Sequence, residues 1–358
     1  MRRWIIMLLA VMLLTVDAAA VEVPSDVMKA LPEGAEELVR DLDVSAADGF
    51  TDGIVRILDA AKAQAGEILR QRVRGAASVL LVVILCAAVE GFSQGVGGKG
   101  TLFLTMAGAL SITLLTAGSL DSLVGLGAET IEELNTFSKV LLPTLAAATA
   151  ASGAVTTATL QQVTTVFFVD LLLNLVDGLL MPMVYLYIGV LAAAGCMPEN
   201  RLGAIAEGLK KALTWILTTS LLVFTIYLSV ARVISGAADG ATVKVTKAAI
   251  SGVVPVVGGI IAEAAETVLI GAGLLKNTIG IFGMLAILAA CIYPFLQLGI
   301  QYLLYKLTAF LAGAVGAPGL CKLIDGLGGA FGLVLGMTGA CALLLLVSVL
   351  SSVAAVMP

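Results

Sequence analysis

Apolar residues along this chain gather into long runs, and the charged residues gather between them. Trp4 to Val16 is the first run and is short for a membrane crossing. Gly75 to Val89 follows, charge-free and rich in Leu and Val. Thr101 to Leu120 comes next, with no charge between Lys99 and Asp121. A polar helical stretch then carries Asp121, Glu129, Glu132, Glu133 and Lys139. Asp170 to Ala194, Leu213 to Ala231, Asn277 to Tyr305 and Leu327 to Met357 complete the set. A spanning helix needs about 20 mostly apolar residues, so the pattern predicts about six spans. No run alternates with the two-residue period of barrel strands. A bilayer core admits only helices and closed barrels, because every backbone group must find an internal partner. The predicted class is all-α, a polytopic transmembrane helical bundle.

Two uncharged stretches differ from the others. Val140 to Val169 is rich in Ala and Thr, with Pro143 near its start and Ser152-Gly153 in its middle. Ile250 to Leu275 holds Pro255 and Gly258-Gly259. Helix-breaking residues within apolar runs predict re-entrant helical hairpins here. Pro182 and Pro294 predict kinks in the spans that follow. Pro143 and Pro255 have the same separation as Pro182 and Pro294, which suggests an internal repeat of the kind that builds transporters; coincidence is the alternative.

The N-terminus has the parts of a secretory signal: Arg2-Arg3, the apolar run, and Ala18-Ala19-Ala20 before Val21. An uncleaved anchor is the other reading. The domain order is then a signal over 1–20, an extracytoplasmic segment over 21–74, and a multi-pass domain over 75–358. The middle segment opens with an acidic cluster of Glu33, Glu36, Glu37, Asp41 and Asp43. From Phe50 onward Ile54, Ile57, Leu58, Ala61, Ala65, Ile68 and Leu69 recur at helical spacing, with Asp52, Arg56, Asp59, Lys62 and Glu67 mostly on other faces. Such a helix lies on a membrane, docks on a partner, or packs on the bundle as a lead-in. Arg201, Lys210 and Lys211 mark a cytoplasmic loop. Arg70, Arg72 and Arg74 then fall outside, against the positive-inside bias, where lipid headgroups or an acidic partner would meet them.

Composition agrees with a membrane chain. Hydrophobic residues are 59% and charged residues 13%, against about 45–50% and about 25% in soluble domains; mean hydropathy is +1.07. No basic block is large enough for nucleic acid. The absence of histidine removes His-based triads and His metal ligands. Cys86, Cys196, Cys291, Cys321 and Cys341 form no C-x-x-C pair and read as small packing residues. Gly95 to Thr101 is not a P-loop, since Lys99 is followed by Gly100. No nucleophile–base pair, metal cluster or cofactor motif appears, so neither catalysis nor a cofactor is expected.

Two acidic features stand out. Asp170, Asn174 and Asp177 sit at i, i+4 and i+7, one stripe on a helix. Intramembrane carboxylates usually face a bundle interior or a water-filled path. The stripe is thus a candidate for pathway or partner contact; the plainer reading puts Asp170 at the interface and pairs Asp177 with a neighbouring helix. Glu263 and Glu266 share a face in the second hairpin and either meet cations or mark a solvated bend.

The second half of the chain resembles the stage III sporulation protein AE family of endospore-forming bacteria. The stretches that carry the resemblance run from Ser235 through Asp239-Gly240 to Lys247. They continue with Pro255 to Gly259, Glu266-Thr267-Val268, and Leu274-Leu275-Lys276-Asn277-Thr278-Ile279-Gly280, and end at Tyr305-Lys306-Leu307. The resemblance implies a membrane component of a secretion-like channel between mother cell and forespore. It implies partners among the other membrane proteins of the stage III sporulation A operon. A cytoplasmic ATPase and stage II sporulation protein Q would act indirectly. The implied location is the mother-cell-derived outer forespore membrane, and the implied role is permease-like. An independent secondary transporter and a non-conducting scaffold remain as alternatives.

Overall fold

A computed structural model describes residues 23–39, 49–93, 99–152, 166–197, 202–227 and 258–354. Among these there is no strand, as the sequence predicts. Two short helices, α1 (Ser25–Lys29) and α2 (Glu33–Val39), precede long ones. These are α3 (Gly49–Ser93), α4 (Lys99–Ala151), α5 (Val166–Leu175), a π turn (Val176–Leu180), α6 (Met181–Gly195), α7 (Leu202–Tyr227), α8 (Gly258–Ala314) and α9 (Pro318–Ala354). Six of the helical segments are long and apolar enough to cross a membrane, with α5, the π turn and α6 counting as one.

The helices run alternately up and down around α8 and α9. Those two pack antiparallel, with Gly280 against Val353, Gly332 against Tyr302 and Gly328 against Tyr305. A β-carbon at Gly280 would collide with Val353, so the absent side chain sets how closely the pair approaches. The turn between them uses Gly316 at a φ of 91°, a left-handed position that suits glycine, and Pro318 opens α9. On α4, Thr116 meets Tyr305 of α8, and Gly127 meets Val334 of α9. α3 runs parallel to α8, with Gly53 against Leu285 and Arg72 against Gln297. α6 lies along α9 through Leu191 and Gly326, and α7 through Leu217 and Gly336. We call the end where α4, α7 and α9 begin proximal, and the other distal.

Several segment limits differ from expectation. α3 passes without a break through residue 74, so the amphipathic stretch and the first span are one helix of 45 residues. Its Ile57, Ala61 and Ile68 are buried on the bundle, and Val27, Ala35 and Val39 of α1 and α2 are buried too. The lead-in reading therefore holds for this segment. Of the first expected hairpin only the two ends are described, and residues 153–165, with Gly153, lie outside the described residues. Pro143 lies inside α4, whose 53 residues continue to Ala151. Ala-rich sequence favours helix, which offsets the lost backbone bond and the ring clash that proline brings. Gly258 and Gly259 open α8, which then runs 57 residues through Pro294, so the second expected hairpin is helical from Gly258 onward. Pro255 lies outside the described residues. Within the second proline pair the forms differ: Pro182 follows a π turn, whereas Pro294 sits in continuous helix. Pro294 leaves the Ala290 carbonyl without its usual donor, and Gly34 of α2 packs against Ala290 there.

Candidate functional site

The predicted stripe lies on the outside of the bundle. Asp170 is half-buried, held by Asn174 Nδ2 at 3.0 Å and by Lys139 Nζ of α4 at 3.5 Å. Asn174 and Asp177 are exposed. The core side of the same segment is Val169, Leu172, Leu173, Val176 and Leu180. Asp177 belongs to the π turn, just ahead of Pro182 at the start of α6. The proline has no N–H for the Gly178 carbonyl, and widening to i→i+5 bonding accommodates its ring. No described side chain pairs with Asp177. Any aqueous route served by this stripe runs along the surface of the subunit.

Glu263 and Glu266 fall on α8, but their side chains lie outside the described residues, as do Asp239 and Gly240. Lys276 is buried, and its Nζ donates to the Val353 carbonyl at 2.8 Å, tying the last turn of α9 to α8. Asn277 is exposed beside it.

A second polar feature crosses the bundle toward its proximal end. Arg72 of α3 donates to Gln297 of α8. One turn on, Gln301 is only 2% exposed, and its Oε1 has no hydrogen-bond donor. After another turn the Tyr305 hydroxyl lies 2.9 Å from Thr116 Oγ1 of α4. Lys306 pairs with Asp325 of α9 and sits 5.8 Å from the centre of the Tyr302 ring. Tyr187 of α6 donates to the Gly326 carbonyl at 2.9 Å, and Lys210 of α7 reaches Gly329 beside it. Every long helical segment contributes to this layer. A buried acceptor without a donor costs about 1–3 kcal/mol, so Gln301 is an expensive residue to keep here.

The α8 stripe of this layer is uncharged. Gln297, Gln301 and Tyr305 stand at i, i+4 and i+8 within a run that carries no charge. The same spacing rule that exposes the Asp170 stripe finds them once uncharged polar groups are counted. The layer also accounts for one of the three unexplained arginines: Arg72 turns into the bundle, while Arg70 and Arg74 stay exposed.

Six crossing-length helical segments closed around a polar layer define a multi-pass helical membrane protein. A family model described as Stage III sporulation protein AE matches residues 51–356, and the chain belongs to that family of sporulation membrane proteins. A curated relative, the stage III sporulation protein AE of Bacillus subtilis (strain 168), is 23% identical over 253 residues. The match covers 69% of this chain and 62% of the relative, so it spans less than two thirds of the relative's length. No solved structure matches the chain. Two of the stretches that resemble the family now have physical roles: Lys276 to Gly280 locks α8 to α9, and Tyr305-Lys306 builds the polar layer.

Proposed function

We propose that this chain is the permease-like membrane core of a sporulation-specific, secretion-like channel between mother cell and forespore, and that it catalyses no reaction itself. In this reading it sits in the mother-cell-derived outer forespore membrane. It assembles with the other membrane proteins of the stage III sporulation A operon. A cytoplasmic ATPase supplies energy, and stage II sporulation protein Q meets the assembly from the forespore side. The observation that carries the reading is the outward position of Asp170, Asn174 and Asp177. A subunit whose carboxylates face outward on a largely apolar segment needs neighbours to complete a polar path.

The test has two arms. Asp177→Leu is expected to abolish sporulation while the protein accumulates normally. Single cysteines at Asp170, Asn174 and Asp177, in a background without the native five, are expected to react with a membrane-impermeant thiol reagent in the assembled complex. Normal sporulation of the leucine variant, with uniform protection of the three cysteines, would leave a packed scaffold. The buried polar layer favours a second reading, a secondary transporter. In that case activity survives deletion of the other operon membrane proteins and is lost in Gln301→Leu.

A further inference from the structure

The outer surface of the bundle carries two apolar patches that do not lie at the same height. On the α3–α4 flank Leu81, Leu85, Leu110 and Leu114 make a charge-free exposed patch at the proximal end, whereas the exposed Val55, Leu58, Leu69 and Val73 of α3 lie further distal among charged residues. On the α7–α9 flank Leu222, Ile226, Leu343 and Leu350 make a charge-free exposed patch at the distal end, whereas the exposed Ile205 and Trp215 of α7 lie further proximal, Ile205 beside Glu207. Each patch faces charge at its own height across the bundle. The distal part of the first flank exposes Asp59, Lys62, Glu129 and Glu132, and the proximal part of the second exposes Glu207, Lys211 and Lys322. The change happens along single lines of each helix. Leu114, Asp121 and Glu132 share one line of α4, as Lys211 and Leu222 share one line of α7.

Cross-contacts fix the heights. Thr116 is level with Tyr305, Phe295 with Gly339, and Leu217 with Gly336. At 1.5 Å per residue the two patch centres are about 30 Å apart along the bundle axis. Three helix rows at 8–10 Å spacing, with their side chains, make the bundle about 30 Å wide. An upright bundle would bury charged residues of one flank in hydrocarbon whichever patch the bilayer covered.

We propose that the bundle lies obliquely in the bilayer, inclined about 45°, so that acyl chains cover the proximal α3–α4 patch and the distal α7–α9 patch in one continuous belt. The 57 residues of α8 reach about 86 Å, so even at this tilt the helix projects well beyond a hydrocarbon core of about 30 Å. This orientation does not depend on the channel reading.

The test places nitroxide labels on single cysteines at Leu58, Leu114, Ile205 and Leu222 of the full chain. The protein is reconstituted in phosphatidylethanolamine–phosphatidylglycerol bilayers, and collision with oxygen is compared with collision with a water-soluble nickel chelate. Leu114 and Leu222 are expected at equal depth among the acyl chains, with Leu58 and Ile205 open to the chelate. Equal depth for Leu114 and Ile205 would mean an upright bundle and would overturn the proposal. Shielding of Leu222 from both quenchers would mean that protein covers that flank, and would overturn it too. If the labelled chains do not fold, Trp4→Phe with native cysteines leaves Trp215 as the sole tryptophan. Mid-chain brominated lipids are then expected to quench it, and absence of quenching would reject the oblique belt.

Discussion

α3 and α8 hold apolar windows of nearly equal hydropathy, yet 17% of the α3 window is buried against 61% of the α8 window. Hydropathy therefore does not distinguish a helix that meets lipid from one that meets protein. What differs is the minor population of residues. α8 and α9 bring Gly280, Gly283, Gly326, Gly328 and Gly332 to their contacts, and they bury Gln297, Gln301, Thr308 and Ser348. The apolar part of α3 exposes Leu81, Ile84, Leu85 and Val89 in place of such groups. Lipid is as apolar as leucine, so close approach and internal hydrogen bonds, rather than apolar area, mark helices that pack on each other.

The sharpest way to break this contrast uses phenylalanine. Phe331 of α9 is 0% exposed and packs edge-on to Tyr305, whereas Phe310 of α8 is 72% exposed. Phe331→Ala is expected to lower stability by about 3–5 kcal/mol, with Phe310→Ala close to neutral, read by thermal unfolding in nanodiscs. Equal losses would mean that protein covers Phe310.

Glycine gives the next contrast. Gly280→Ala pushes a β-carbon into Val353 and is expected to cost about 1–3 kcal/mol. Gly118→Ala of α4, with open space around it, is expected to stabilise its helix by about 0.5–1 kcal/mol. A stabilised Gly280→Ala would show that α8 and α9 can separate at little cost.

The smallest effect concerns polar contacts. A double-mutant cycle of Tyr305→Phe with Thr116→Val is expected to give a coupling of about 0.5–1.5 kcal/mol. Lys62→Ala, which removes an exposed ion pair with Asp59 at 3.2 Å, is expected to change stability by no more than about 1 kcal/mol. A zero coupling in the cycle would remove Tyr305–Thr116 from the parts that hold the layer together.

Spans were legible because they depend on composition over about 20 residues, which no single contact can reverse. Their limits were less legible. Lys306 and Asp325 look like loop residues in sequence, but they pair across the α8–α9 hairpin, and both helices run past them. That Pro182 would disturb its helix was legible and the π form of the disturbance was not, since the form depends on which neighbouring carbonyls accept the strain. For the stripe, spacing showed that Asp170 and Asn174 share a face but not that the face turns outward. That direction depends on α4 and α9, far away in the chain. The α8 stripe of the polar layer was hard to read from sequence because Gln297, Gln301 and Tyr305 carry no charge.

The central position of α8 and α9 bears on how the molecule is made. A ribosome delivers α3 to α7 before the pair they enclose, so the early helices wait in the translocon or the lipid without their main contacts. Arg72 and Gln297, 225 residues apart, illustrate the delay. During that wait Arg72 has no glutamine to donate to. Contacts this distant in sequence slow folding. Assembly is therefore expected to be a late, concerted closure, and a chaperone or insertase that holds the early helices apart would speed it.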